Sequence, residues 1–170
     1  MSAYPVYQAG QRVTAGLLAS AQPLSAIKGA DESRASTTTL TADAELTLAV
    51  AAGATYELEA YLVYSQNLAA SSTTGIKIGW SGPSGAALLW TSNGTDGPTS
   101  LTGNDVTAQS ISATRSLPAN LGTSMSASAS GLLTVAGTAG TLALTWAQVA
   151  SNATPTLMRA GSWVRLLRTS

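Results

Sequence analysis

The chain of 170 residues contains no Cys, no His and no Phe, and only 9% of its residues are charged. Each absence excludes chemistry. Without His or Cys there is no Ser-His-Asp or Cys-His triad, no imidazole base, no zinc site of the common kind and no disulfide framework. Eight Lys plus Arg balance eight Asp plus Glu, which removes the basic footprint of a nucleic-acid binder and the polybasic patch of a membrane-surface protein. No apolar run approaches the roughly 18 residues of a membrane span. Val13 to Ala21 is apolar and ends Ala-Ser-Ala, but the first ten residues hold no Lys or Arg, and Thr14, Gly16 and Ser20 interrupt the run. It does not read as a signal peptide. What remains is a binding or structural protein, or an enzyme limited to carboxylates, Lys, Tyr and Ser.

What is abundant is small: 31 Ala, 23 Thr and 22 Ser. Leu, Ile and Val are sparse, so the core is thin, but the apolar residues alternate in register and the charge is balanced. The chain therefore reads as folded rather than disordered. Residues 1–10 carry Pro5, Tyr4 and Tyr7 without a helical or strand period, and read as an extended arm. Residues 14–22 read as a short helix, with Thr14 as N-cap, Leu17, Leu18 and Ala21 on one face, and Pro23 as the stop. A helix this short needs a surface to dock on, either its own domain or a neighbour.

From residue 35 the period is two, with turn residues every eight to twelve positions. Leu46, Leu48 and Val50 alternate with polar or small neighbours. In the clearest strand, Tyr56, Leu58, Ala60, Leu62 and Tyr64 share one face, and Glu57, Glu59, Tyr61 and Val63 the other. Further strands are expected at 76–80, 86–91, 106–111, 124–130, 132–135, 140–149 and 163–168. Residues 92–103 have loop composition and are the longest expected connection, with Asn93, Asp96 and Pro98 as surface candidates. Eight to ten short strands with turn spacing predict an all-β fold, an antiparallel β-sandwich or jelly roll, preceded by the arm and one short helix. The expected division is an anchoring segment at 1–33 and the sandwich at 34–170.

Glu57 and Glu59 would sit about 7 Å apart on one strand face, but a glycosidase pair flanks a cleft from different elements, so they read as the wetter side of a strand. Ser81 in Gly79-Trp80-Ser81-Gly82 lacks the closing Gly of a nucleophile elbow and any His to activate it. Lys28 and Lys77 have no Ser partner in a recognisable motif. Asp96 and Asp105 supply one acid per loop, short of a calcium site. Trp80, Trp90, Trp146 and Trp163 lie on strand periods among aliphatics and are expected to fill a core that lacks Phe. Stacking on a sugar is the competing use, and an exposed aromatic pair would favour it. No catalytic residue, metal ligand or cofactor site is expected, and the protein is expected not to be an enzyme.

The stretches AGQRVTAGLL (9–18), TTTLTADAELTLAVAAGATYELEAYLVYS (37–65), GIKIGWSGPSGA (75–86), TLALTWAQ (141–148) and GSWVRLLR (161–168) resemble small virion proteins of tailed phages infecting actinobacteria, of the capsid decoration, head fibre or minor tail type. That resemblance implies a β-sandwich, often a homotrimer, anchored to the virion through its N-terminal arm, with no catalytic residues. It leads to the expectation of a capsid decoration protein on the phage particle surface, assembled in the host cytoplasm. Its partner would be the major capsid protein, reached through Tyr4, Tyr7, Arg12, Val13, Leu17 and Leu18. The alternatives are a minor tail or fibre-tip protein that binds tail proteins and contacts the host surface and, more remotely, a carbohydrate-binding module.

Overall fold

The computed structural model describes residues 9–15, 22–71, 73–93 and 107–170. Twelve strands run through them: β1 (Leu24–Ile27), β2 (Glu32–Arg34), β3 (Thr41–Val50), β4 (Thr55–Gln66), β5 (Ile76–Ser81), β6 (Ala87–Asn93), β7 (Gln109–Ser110), β8 (Thr114–Leu117), β9 (Met125–Thr134), β10 (Gly140–Gln148), β11 (Thr156–Met158) and β12 (Trp163–Arg168). They form two antiparallel sheets. The larger is ordered β1-β12-β4-β9-β6-β7, with β11 pairing β4 and β2, and the smaller is β3-β10-β5-β8. Strands β3, β4, β5, β6, β8, β9, β10 and β12 alternate between the smaller and the larger sheet, and the first strand lies beside the last, which is the jelly-roll topology of two interleaved Greek keys. The strands β6 and β7 extend the larger sheet beyond β9.

Strand β4 organises the larger sheet. Its first half pairs with β12 and its last three residues with β11, while β9 covers its other edge along ten residues. The break between β11 and β12 is bridged by Ser162, whose hydroxyl accepts from Val63 N–H at 2.9 Å and donates to Arg159 C=O at 2.8 Å. A ladder interrupted by two strand ends thus loses few buried donors.

The period-two reading of β4 holds, with Tyr56, Leu58, Ala60, Leu62 and Tyr64 buried and Glu57, Glu59 and Tyr61 outside. From the smaller sheet, Leu46, Leu48, Ile76, Ile78, Trp80, Leu142, Leu144 and Trp146 meet Leu58, Leu62, Leu88, Trp90, Leu133, Val164 and Leu166 of the larger. Each fully buried Leu, Ile or Val contributes about 1.5–3 kcal/mol relative to exposure. Trp80 and Trp90 face each other edge to face with ring centroids 6.2 Å apart, an arrangement worth about 0.5–1.5 kcal/mol beyond area.

One boundary differs from the sequence reading. Strands β1 and β2 pair with β12 and β11, so residues 24–34 belong to the sandwich, whose first strand begins at Leu24 and not at residue 34. Strands of four and three residues are too short to show a period. Of the expected helix, Thr14 and Ala15 are described, with Ala15 helical. Residues 16–21 lie outside the described residues, as do Tyr4, Tyr7, Leu17, Leu18, Asp96, Pro98 and Asp105.

Candidate interaction surface

Directly paired residues of an antiparallel ladder share a face, so the register assigns the outer surface of the larger sheet row by row. One row runs Ile27, Trp163, Tyr61, Ser128, Asn93; the next Ser25, Arg165, Glu59, Ser130, Thr91; the third Leu167, Glu57, Leu132, Leu89. Six large apolar side chains therefore stand outward on five adjacent strands. Tyr61 is 38% exposed, Leu132 48%, Leu89 60% and Ile27 67%. Sheet faces turned to water are normally polar, and clustered exposed apolar groups mark interaction surfaces.

Trp163 corrects an expectation. It does not join the core with Trp80, Trp90 and Trp146, but lies half-buried on this outer face, because Val164 and Leu166 take the inward positions of β12. Its indole stacks beside Tyr61, with centroids 6.5 Å apart and planes inclined at 29°, and the Arg165 guanidinium carbon sits 5.2 Å from the Trp163 ring centroid.

Strand β9 explains the relief of this face. Its alternation of Ser with Ala puts Ala127 and Ala129 inside and Ser126, Ser128 and Ser130 outside. The small outer residues leave two depressions. One, of about 290 Å³, is lined by Glu59, Tyr61, Trp163, Asn93, Ser128 and Ser130. The other, of about 410 Å³, lies between Glu57, Glu59, Leu89, Thr91 and Gly131. The Ser-x-Ser-x-Ser pattern was the available sequence signal for this trough. Asn93 is exposed at its rim; Arg12 and Val13 are exposed elsewhere.

A second constellation is internal. Asp43 and Lys28 are buried, with Lys28 Nζ 2.9 Å from both Asp43 oxygens and 3.0 Å from Glu32 Oε2. Asp43 Oδ1 also accepts from the backbone N–H of Glu45 and of Leu46, each at 3.0 Å, and Oδ2 from the Trp146 indole N–H at 2.9 Å. The Arg34 guanidinium donates to Glu32 Oε1 and lies 3.9 Å from the Trp146 ring centroid. The local cause is a register shift where β3 meets β10: Ala143 opposes Thr47, but Thr145 opposes Ala42. The extra residues of β3 bulge, and the Asp43 carboxylate satisfies two of the N–H groups that the bulge removes from the ladder.

Burial raises the Asp43 pKa, but the Glu45 N–H, Lys28, the Leu46 N–H and the Trp146 indole outweigh it and hold the carboxyl below its ordinary value. For Lys28, burial acts downward and is outweighed by Asp43 and Glu32, so the amine is held above its ordinary value. The group is not legible as a unit in the sequence because Trp146 lies about a hundred residues from the 28–43 segment and the bulge that brings Asp43 inward has no local period. The visible signal was an acid three positions before Leu46, where the apolar alternation of β3 begins.

Among the described residues no group of three or more acidic side chains is arranged to hold a metal ion, and no helix is long and apolar enough to cross a membrane. No protein-family model matches the chain, and no curated protein matches it. Among solved structures it is similar to the infectious bursal disease virus Gt strain structure, at 14% identity and TM-score 0.22, covering 87% of this chain and 41% of that one. The Gx strain structure gives 15% identity and TM-score 0.23 over the same shares. The VP2 subviral particle of that virus gives 14% and 0.23, again over 87% and 41%. The chain spans about two fifths of the length of these capsid structures, and likeness at this level carries no argument about what it does.

Proposed function

We propose that the protein is a non-enzymatic structural subunit of a virus particle, a decoration protein that binds the major capsid lattice of a tailed phage and reinforces it as a homotrimer. The reading joins the sequence resemblance to one observation, the apolar outer face of the larger sheet. A sandwich with its core already closed has no need of Ile27, Tyr61, Leu89, Leu132, Trp163 and Leu167 outside. Apolar and aromatic groups form the usual centre of a protein interface; here Glu57, Glu59 and Arg165 stand between them and would pair with charges of the partner. Many symmetric copies on a lattice hold by avidity without each contact being tight.

The test is reconstitution on undecorated heads with Leu132→Lys and Tyr61→Ser. Leu132→Lys at a half-exposed site should change folding stability by no more than about 0.5 kcal/mol, Tyr61→Ser also gives up the Trp163 stack at about 0.5–1.5 kcal/mol, and loss of a central anchor should weaken binding roughly 30-fold. Undiminished binding removes this face from the mechanism. Particle imaging adds the copy number: hundreds support a capsid station, six or fewer a tail.

One observation favours a second reading, a fibre-tip protein that contacts a host glycan. The adjacent Tyr61 and Trp163 rings border a depression with Glu59, Asn93, Ser128 and Ser130, an aromatic platform flanked by hydrogen-bonding groups. Saturable quenching of tryptophan emission by an oligosaccharide, lost in Trp163→Phe, would select this reading.

A further inference from the structure

The buried cluster is arranged for more than an ion pair. We infer that Lys28 and Asp43 join in an autocatalytic isopeptide bond, with Glu32 as the proton carrier. The lysine nitrogen lies 2.9 Å from both oxygens of the Asp43 carboxyl, in direct contact with the group whose carbon it would attack. Glu32 Oε2 lies 3.0 Å from the same nitrogen, within range for a general base. Its other oxygen is fixed by Arg34 at 2.9 and 2.6 Å.

The step balances within the three side chains. One ammonium proton passes from Lys28 Nζ to Asp43 Oδ2 along their 2.9 Å contact, leaving a neutral amine and a neutral carboxyl, and Glu32 takes a second Nζ proton as the nitrogen electron pair forms the Nζ–Cγ bond. The charge that develops on Oδ1 is met by the backbone N–H groups of Glu45 and Leu46, each 3.0 Å away, preorganised as in an oxyanion hole. Oδ2, held by the Trp146 indole N–H, then leaves. Already carrying one proton, it takes the other from Glu32, so one water departs, Glu32 is again a carboxylate and a neutral secondary amide remains. No oxidant, metal or external acid is required. Lys28 and Asp43 have side chains 1% and 0% exposed, so the reactants are already in contact and desolvated, and orientation supplies much of the barrier lowering. Replacing two buried charges with one neutral amide also removes the standing cost of holding ions out of water. The bond would tie the β1–β2 connection of the larger sheet to β3 of the smaller. It is a single event per chain, independent of the proposed station on a virus particle.

Mass spectrometry of the purified full-length chain tests this directly. Expected is an intact mass lower than the sequence requires by one water, and after proteolysis a branched peptide joining the segment with Lys28 to the segment with Asp43. An unaltered mass after days at neutral pH overturns the inference and leaves an ion pair only. A lost water mapped elsewhere, such as cyclisation at Asp96-Gly97, overturns it equally. Glu32→Gln should retain the unlinked mass while keeping native tryptophan emission, and linking at the normal rate in that variant would overturn the role of Glu32. If Glu32→Gln does not fold, Glu32→Asp reads the same role through a slowed rate.

Discussion

An aspartate with 0% exposure must find a donor for each oxygen or pay the cost of an unpaired buried charge. Asp43 has four: two backbone N–H groups, one indole N–H and one ammonium. Asp43→Ala orphans the two backbone N–H groups and the indole and leaves buried Lys28 with Glu32 alone, and the expected loss is about 3–5 kcal/mol in urea unfolding. The pH dependence of stability distinguishes the two states of the pair. As ions, Asp43 has a folded pKa below its unfolded one. Its contribution is complete above the unfolded value of about 3.9 and disappears as pH falls through the folded value. Lys28 has a folded pKa above its unfolded one, so its contribution is complete below about 10.4 and disappears as pH rises through the folded value. The urea midpoint of an ionic chain should therefore fall on both flanks on account of this pair, and that of an amide-linked chain should not.

At the scale of elements, β9 is the strand whose composition looks weakest and whose position is most central, between β4 and β6. Its small residues are what the position requires. A Cβ on Gly131 would stand 2.5 Å from Leu89 C=O and 2.9 Å from Trp90 Cα, so Gly131→Ala forces β9 and β6 apart. The expected cost is about 1–3 kcal/mol, read by denaturation together with a shift in tryptophan emission as Trp90 is displaced. The same strand shows how much was legible. Alternation in β4 fixed which residues share a face, and it reappears intact. For β12 alternation separated two sets without saying which faced inward, and Trp163 went to the wrong one because bulk was taken as a mark of the core. Strands β1 and β2 carried no period, and the β3 bulge depends on partners such as Trp146 that lie a hundred residues away.

For the whole molecule, the sandwich was readable because its long strands pair over many residues, whereas the jelly-roll order was not, since nothing local says which strand crosses to which sheet. The boundary at 33 failed because β1 and β2, at four and three residues, are too short to show a period. It matters for any truncation: a chain starting at Gln22 keeps the β1 and β2 ladders, and one starting at Arg34 loses both along with Lys28 and Glu32. The shorter chain should be less stable by at least about 3 kcal/mol, because Asp43 is left buried without its cation; equal unfolding midpoints would contradict this.

Placing β12 between β1 and β4 sets a timetable for synthesis. The segment that becomes β1 leaves the ribosome early, but the residues it pairs with are the last strand made, and Leu24 must wait for Leu166. At about 5–20 residues per second the delay is on the order of ten seconds. During it β4 has one edge open and the nascent chain needs shelter from its neighbours. On a polysome producing many copies, the interval in which strangers can pair is therefore built into the strand order.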